Sequence, residues 1–261
     1  MAHIYHVKHE SDIRSGRLQT KHEAEEAKRL RYPAYRGVYK KLLYFKHFVG
    51  IDKPLVVCEG KTDNIYLRSA LKNLASAYPT LAKVENGKLI MNVRLLKHSR
   101  VEHDILELSG GSANLASLVA RYEAAVFRYK HRPLLHPVIV LIDNDSGSDG
   151  VMGALRKRKI KITKLTDNVY YHVCLNLYVI KTPEFGPSGD SCIETLFPSS
   201  ICSIKLDGKS FSLEKDLDLT TQYGKFDFAD KVIRPNYASI DFSGFKPLFD
   251  RILAVINDYK T

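Results

Sequence analysis

The stretch LVVCEGKTDNIYL, residues Leu55 to Leu67, opens with an apolar run that stops abruptly at Glu59. An unbroken apolar run is typical of a strand that is buried on both faces of a parallel sheet. Apolar residues then resume with helical spacing, which predicts a helix from Asp63 to Tyr78 with Thr62 or Asp63 as its cap. The pattern therefore predicts a buried strand that ends on a carboxylate and turns directly into a helix.

The alternation of strands and helices continues beyond this stretch. Further expected elements are a hairpin at Asn86-Gly87, a strand HDILELS, a helix from Asn114 to Tyr129, and the strands PVIVLIDND and VCLNLYVI. Alternating strands and helices form a parallel sheet covered by helices. The fold class is therefore expected to be α/β, with a Rossmann-like parallel sheet flanked by helices.

The pattern changes after Pro183. A loop rich in Gly, Pro and Ser, the segment CIETLF, an expected hairpin at Asp207-Gly208, and a final amphipathic helix follow. We therefore expect three regions: a basic, aromatic-rich helical arm over residues 1–50, a core over 51–184, and a small α+β C-terminal extension over 185–261.

The overall composition favours a polyanionic partner. The formal net charge is +11 and the isoelectric point is near 9.3, a balance that is common among nucleic-acid-binding proteins. The four cysteines form no C-x-x-C pair, so a zinc ribbon is not expected. Because the sequence shows neither a leader nor an apolar run long enough to cross a bilayer, we expect a cytoplasmic protein without a membrane partner.

The positive charge is concentrated near the N-terminus, where residues 1–50 hold eleven Lys/Arg against five Asp/Glu. Aromatic residues alternate there with basic ones, a mixture that can bind phosphates and stack on bases. A helix that packs its aromatic side chains inward and exposes its basic ones would have the same sequence. The candidate nucleic-acid-binding residues of this arm are Arg31, Arg36, Lys40, Lys41 and Lys46.

Acidic residues follow two of the expected buried strands. Glu59 follows the first, and Asp143 and Asp145 follow VIVLI. In open parallel sheets ligands bind at the carboxyl ends of the strands, and close carboxylates repel unless they protonate, separate or share a cation. Carboxylate oxygens favour Mg²⁺ or Mn²⁺, and Asp63 could add a further ligand or hold a water. Taken singly, EGKTD could instead be a capped strand-to-helix turn, and DND an Asx-rich turn.

These motifs together resemble the Toprim domain shared by topoisomerases, bacterial primases and the OLD family of nucleases. The matching elements are Glu59-Gly60 with Asp63, the glycine turn SGGS over 109–112, and Asp143 with Asp145. The resemblance covers residues 53–182 and implies a Toprim-like sheet and metal-dependent phosphoryl chemistry. In that chemistry Glu59, Asp143 and Asp145 would hold one or two Mg²⁺ ions, and Glu59 would also serve as a catalytic acid or base.

Sequence outside the core is similar to the Toprim extension that is fused to certain retron reverse transcriptases. The resemblance lies in the segments RYPAYRGVYKKLLYFKHFVGIDKPLVVCEGKTD, CIETLF and YGKFDFADKVI. It implies the effector part of an anti-phage defence system, with a reverse transcriptase and its RNA–DNA product as partners. The chain has no Asp-Asp pair, so the polymerase motif is absent.

Two residues of the extension are further candidates. Glu194 lies between apolar residues of CIETLF, and Lys225 follows a glycine among aromatic residues. OLD-like nucleases similarly carry an acid and a lysine after the Asp-x-Asp motif, which implies a metal ligand at Glu194 and a catalytic, transition-state-stabilising lysine at Lys225. Alternatively, Glu194 faces water and Lys225 extends over the aromatic residues.

A second basic segment, RKRKIKITK, follows the Asp-x-Asp motif. It could bind the substrate backbone or form a solvated turn, and its candidate nucleic-acid-binding residues are Arg156, Lys157, Arg158 and Lys159. The expected activity is that of a Mg²⁺-dependent endonuclease acting on DNA or RNA. The alternative is a non-catalytic module that binds a reverse transcriptase and its RNA–DNA product.

Overall fold

The computed structural model describes residues 35–97, 99, 104–108, 112–214 and 216–260. The chain divides into two compact units, residues 1–44 and 45–261. In the first unit, residues 35–44 form helix α1. All the elements that follow belong to the second unit, which begins with a π-helical turn at Phe45–Val49.

A mostly parallel five-stranded sheet forms the centre of the second unit. Its strand order is β4-β1-β5-β7-β6, and only β6 runs antiparallel to its neighbour. The strands are β1 (Leu55–Val57), β4 (Arg94–Leu95), β5 (Val138–Ile142), β6 (Tyr171–Cys174) and β7 (Leu177–Lys181). Two small two-stranded sheets complete the set: β2 (Ala82–Glu85) with β3 (Lys88–Met91), and β8 (Ser210–Phe211) with β9 (Gln222–Tyr223).

Helices flank the sheet, which confirms the expected α/β class at the level of a Rossmann-like arrangement. The α-helices are α2 (Lys61–Asn73), α3 (Ser112–Phe127), α4 (Asp149–Lys157), α5 (Ser199–Cys202), α6 (Lys225–Asp227), α7 (Arg234–Asn236) and α8 (Lys246–Lys260). A π-helical segment, Phe228–Ile233, joins α6 to α7. Within the described residues, no helix combines the length and the apolar character that crossing a bilayer requires.

The first predicted helix begins earlier and ends earlier than its sequence pattern indicates. Helix α2 begins at Lys61 after the cap residue Gly60, so Asp63 lies within the first turn instead of capping it. The Asp63 carboxylate accepts a hydrogen bond from the Gly60 N–H, which holds the acid against the start of the helix. The chain leaves the helix after Asn73, before the apolar spacing in the sequence ends.

The turn at Asn86-Gly87 is confirmed as a β-hairpin. Glu85 pairs with Lys88, and both central residues have positive φ, 51° at Asn86 and 72° at Gly87. Such values are those of the two-residue turns that match the twist of antiparallel strands. Asp207-Gly208 also turns with positive φ at both residues, but only one antiparallel bridge, between Leu206 and Lys209, closes it.

Two expected strands are wrong in detail. The described part of HDILELS contains a helical turn at 104–106, because the sheet position beside β1 is taken by β4, whose neighbour Leu96 donates its N–H to the Val56 carbonyl oxygen. The segment VCLNLYVI is divided between β6 and β7 instead of forming one strand. Leu175 turns the chain there with φ 50°, and the buried Asn176 side chain donates to the carbonyl oxygens of Phe48 and His136.

The hydrophobic core joins the sheet to the C-terminal part of the chain. Val56, Ile139 and Ile180 belong to one buried cluster with residues of α2, the π-helical segment and α8. Side chains of α8 that enter this cluster, Leu248 and Ile252 among them, follow the amphipathic spacing predicted for the final helix. Residues beyond 184 therefore complete the same core that fixes the strand ends.

Candidate functional site

The first two predicted acids follow neighbouring parallel strands. β1 and β5 pair in parallel, with Val57 opposite Val140. Continuing this register places Glu59, two residues past Val57, beside the last residues of β5, and Asp143 follows β5 directly. The two acids therefore lie at the same edge of the sheet, where ligands bind in open α/β folds.

Asp63 joins this edge from the first turn of α2. Burial raises the pKa of its carboxyl group, and the nearby Glu194 carboxylate raises it further, whereas the hydrogen bond from Gly60 and the charge of Lys225 oppose the shift. The electrostatic effect of Glu194 on Asp63 indicates that the two side chains lie in one region.

Asp143 is held in place by the C-terminal segment. Its Oδ1 accepts a hydrogen bond from the Ile193 N–H at 3.0 Å. Burial, followed by the charges of Asp63 and Glu194, raises the pKa of Asp143 to about 8, with Lys225 opposing and Asp145 adding to the shift. A carboxyl group with such a pKa is largely protonated at neutral pH until a cation replaces the proton.

Glu194 and Lys225 form an ion pair beside these acids. Lys225 Nζ donates to Glu194 Oε2 at 3.0 Å, and the Glu194 side chain is only 1% exposed. Although burial opposes it, the Glu194 carboxylate raises the pKa of Lys225 above its ordinary value. The sequence alternative in which Glu194 faces water is therefore wrong.

A buried polar network fixes the position of the Asp-x-Asp segment. The Asn144 N–H donates to the Ser191 carbonyl oxygen at 2.8 Å, and the Ser191 N–H returns a bond to Asn144. The Asn144 amide donates to the carbonyl oxygens of Lys164 and Gly189, and Thr182 lies beside Ser191 with their hydroxyl oxygens 2.7 Å apart. Asn144, the residue between the two acids, thus anchors the loop, while Asp143 and Asp145 belong to the acidic site.

The oxygen donors of this site suit Mg²⁺ or Mn²⁺ in kind. Asp145 Oδ1 and Glu194 Oε1 are buried and have no hydrogen-bond partner among the described residues, as expected of atoms that could accept a cation. In the part of the chain that the structure describes, however, no three His, Cys, Asp or Glu side chains lie close enough together to hold a metal ion. The donor types fit the ion, whereas their present spacing does not make a complete metal site.

The predicted nucleic-acid-binding residues are spread over several elements. Arg31 and Gly110-Gly111 of the SGGS turn lie outside the described residues, whereas Arg36, Lys40 and Lys41 lie on α1. Lys46 belongs to the π-helical turn at Phe45–Val49.

The second basic segment is partly occupied by contacts within the protein. Arg158 Nη1 pairs with Glu123 Oε2 at 2.9 Å, and Arg156 Nη1 donates to the Ile162 carbonyl oxygen at 3.4 Å. Lys157 and Lys159 are exposed at the end of α4. The structure therefore leaves the two lysines of this segment better placed than Arg158 for contact with a ligand.

Three residues at the site have roles that the sequence reasoning missed. Asn144 anchors the loop between the two acids, and Ser148 Oγ donates to the Asp143 carbonyl oxygen. The Tyr66 hydroxyl donates to the Lys225 carbonyl oxygen at 3.2 Å, which joins α2 to the start of α6. The sequence signals that could have indicated these roles were a polar residue just after an apolar strand, as at Asn144, and a hydroxyl group on an apolar helix face, as at Tyr66.

No protein-family model matches the chain, and no solved structure matches it.

Proposed function

We propose that the chain is a Mg²⁺- or Mn²⁺-dependent nuclease that hydrolyses phosphodiester bonds of DNA or RNA. The observation that carries the proposal is the gathering, at one edge of the sheet, of Asp63, Asp143 and Glu194 with the ammonium group of Lys225. Asp63 and Glu194 raise the pKa of Asp143, and such a cluster of acids is costly unless a cation or a proton satisfies it, which is typical of functional sites.

The side chains of the site have separate tasks in this reaction. Glu59, Asp143 and Asp145 would hold the ion, with Asp63 and Glu194 in support. When bound there, Mg²⁺ would lower the pKa of a water and offset negative charge on the phosphate. Hydrolysis forms a bond from the water oxygen to phosphorus, breaks the bond to the leaving oxygen, and delivers a proton to that oxygen.

Lys225 would stabilise the transition state. Its side chain is 40% exposed, so the ammonium group can reach a phosphate at the surface while it contacts Glu194. A fixed cation beside the scissile phosphate offsets the charge that develops there. Glu59, partly exposed at the end of β1, would move the proton as a catalytic acid or base.

The biological setting is a further part of this proposal and rests on the sequence resemblance. The chain would be the effector of a retron-type anti-phage system, acting with a reverse transcriptase and its RNA–DNA product. The strong positive charge supports a nucleic-acid partner of either kind.

A second candidate function is favoured by the spacing of the acids. Since no three potential ligands of the described residues are close enough to hold a metal, and Glu194 is already paired with Lys225, a Toprim-like module could bind a reverse transcriptase and nucleic acid without cutting. Cleavage under metal-replete conditions separates the two candidates.

The test is incubation of the purified chain with labelled single-stranded DNA, duplex DNA, RNA and an RNA–DNA hybrid, in Mg²⁺, Mn²⁺ or EDTA. Cleavage should require the metal and should disappear in Glu59→Gln and Asp143→Asn. The exposed acids Glu214 and Asp216 offer matched controls, and Glu214→Gln and Asp216→Asn should cut normally. Binding without cleavage of any substrate would support the second candidate, and wild-type cleavage by both site variants would overturn the first.

A further inference from the structure

A cleft of about 620 Å³ opens between α2 and the edge strand β4. Its walls come from the π-helical turn, the segment before β1, α2, and the chain around β4. The charged side chains that line it are five cations and one carboxylate: Lys46, Lys53, Arg68, Arg94, Lys97 and Asp52. Such an excess of cations gives the cleft a positive potential that favours an extended anionic ligand.

Three cations of the cleft, Lys53, Arg68 and Lys97, pair with no carboxylate among the described residues. Lys53 Nζ donates instead to the Met91 carbonyl oxygen at 2.9 Å, and Arg68 Nη1 approaches the Met91 sulfur at 3.7 Å. The one acid of the cleft, Asp52, has a 75% exposed side chain and lies 3.5 Å from Arg94, so it offsets little of the charge.

The cleft adjoins the acidic site through two residues. Asn64 directly follows Asp63 on α2, and its Nδ2 donates to the Leu96 carbonyl oxygen at 2.7 Å. β4 runs parallel to β1, with Leu95 opposite Val56, so Lys97 lies at the level at which the chain of β1 reaches Cys58 and Glu59. An anion that enters the cleft therefore extends toward the carboxyl ends of β1 and β5, where the acids lie.

We propose that this cleft binds the sugar-phosphate backbone of a nucleic-acid strand and leads it to the carboxylates at the ends of β1 and β5. The inference rests on the proposed function for the fate of the strand, but the binding itself needs neither metal nor cleavage. Arg68 and Lys97 contact phosphates from opposite walls of the cleft.

The test measures binding of a short fluorescent single-stranded oligonucleotide by anisotropy, in EDTA, with Asp143→Asn present in every protein so that no strand is cut. Arg68→Gln/Lys97→Gln should weaken binding roughly tenfold or more near 0.1 M salt and flatten the slope of log K against log salt by about 1.4. The matched control is Arg128→Gln/Lys130→Gln, which removes the same charge from exposed positions outside the cleft lining and should leave the slope unchanged.

Three results would overturn the proposal: an unchanged slope in the cleft variant, an equal change in the control, or binding of a mononucleotide as tight as that of the oligonucleotide. Thermal midpoints of all variants identify any loss of folding. Lys53→Gln, in the segment before β1 that also lines the cleft, is an independent variant that should likewise weaken binding. If the cleft variants weaken binding while the chain with Asp143 intact cuts no substrate in Mg²⁺ or Mn²⁺, the cleft is upheld and the nuclease is rejected. If the chain with Asp143 intact cuts while the cleft variants bind as tightly as their parent, the nuclease is upheld and the cleft is rejected.

Discussion

Lys225 and Glu194, which are 31 residues apart in the chain, meet in an ion pair of 3.0 Å between Nζ and Oε2. The two partners differ in exposure, since the Glu194 side chain is 1% exposed and that of Lys225 is 40% exposed. A carboxylate removed from water depends on its cation far more than the cation depends on the carboxylate. Because of this difference in exposure, we expect replacement of Lys225 and replacement of Glu194 to affect stability and activity differently.

Replacement of Lys225 should destabilise the metal-free protein. Lys225→Met leaves the buried Glu194 carboxylate without its cation, which should cost about 1 to 3 kcal/mol after allowance for the exposure of the lysine. Glu194→Gln in the same protein should recover part of the loss, because the uncompensated charge is then gone. Urea unfolding of the four members of this cycle in EDTA measures the coupling.

A control for this cycle is the surface pair of Lys231 and Asp227, whose lysine side chain is 59% exposed. Lys231→Met should change the free energy of unfolding by less than about 1 kcal/mol. Equal losses in Lys225→Met and Lys231→Met would show that burial of Glu194 does not make the pair special.

If the chain is a nuclease, replacement of Lys225 and replacement of Glu194 should change different kinetic parameters. Lys225→Met should lower turnover roughly a hundredfold with little change in metal affinity, because its cation acts on charge that develops in the transition state. Glu194→Gln should instead raise the Mg²⁺ concentration that gives half activity. Cleavage rates over a Mg²⁺ titration check both, with Lys231→Met as the control. Wild-type curves for both variants would confine the site to Glu59, Asp63, Asp143 and Asp145.

Asp143 should make stability depend on pH. Its pKa is raised to about 8 in the folded protein, whereas an unfolded chain has an Asp pKa near 4. Between these values the folded state binds the proton and the unfolded state does not, so stability falls as pH rises, by up to about 1.4 kcal/mol per unit. Asp143→Asn removes this loss and should be more stable than the wild type at pH 8, with a small difference near pH 4.

Thermal or urea unfolding in EDTA from pH 4 to 9 measures that difference. Asp216→Asn, an exposed acid exchanged in the same way, should run parallel to the wild type. A constant offset between Asp143→Asn and the wild type across the whole range would contradict the prediction.

The fold could be predicted where burial alone dictates the pattern. The strands β1 and β5 are buried at every position, and their unbroken apolar runs are enough to predict that Glu59 and Asp143 follow strand ends. Pairing of the two strands is confirmed, and it brings the acids to one edge. The unbroken apolar pattern was enough to predict these two strands because both faces of the sheet are covered.

Other features depend on distant partners that no local pattern shows. β4 has only two residues, and it is a strand because β1 offers it backbone hydrogen bonds. The division of VCLNLYVI depends on Asn176, whose carbonyl partners lie 128 and 40 residues away. The cationic cleft likewise combines residues of four separate segments, so its charges appear in the sequence only as scattered lysines and arginines.

Asn144 should be required for the shape of the acidic loop even though it bears no charge. The residue is fully buried, and its amide donates to the carbonyl oxygens of Lys164 and Gly189. Asn144→Ala leaves both acceptors without this donor and opens a small cavity, which should cost about 2 to 4 kcal/mol. Asn92→Ala, which removes an exposed amide that donates to the Pro79 carbonyl oxygen, should cost less than about 1 kcal/mol. Urea unfolding of the two variants gives both values, and similar costs would mean that the buried network does not hold the loop between Asp143 and Asp145.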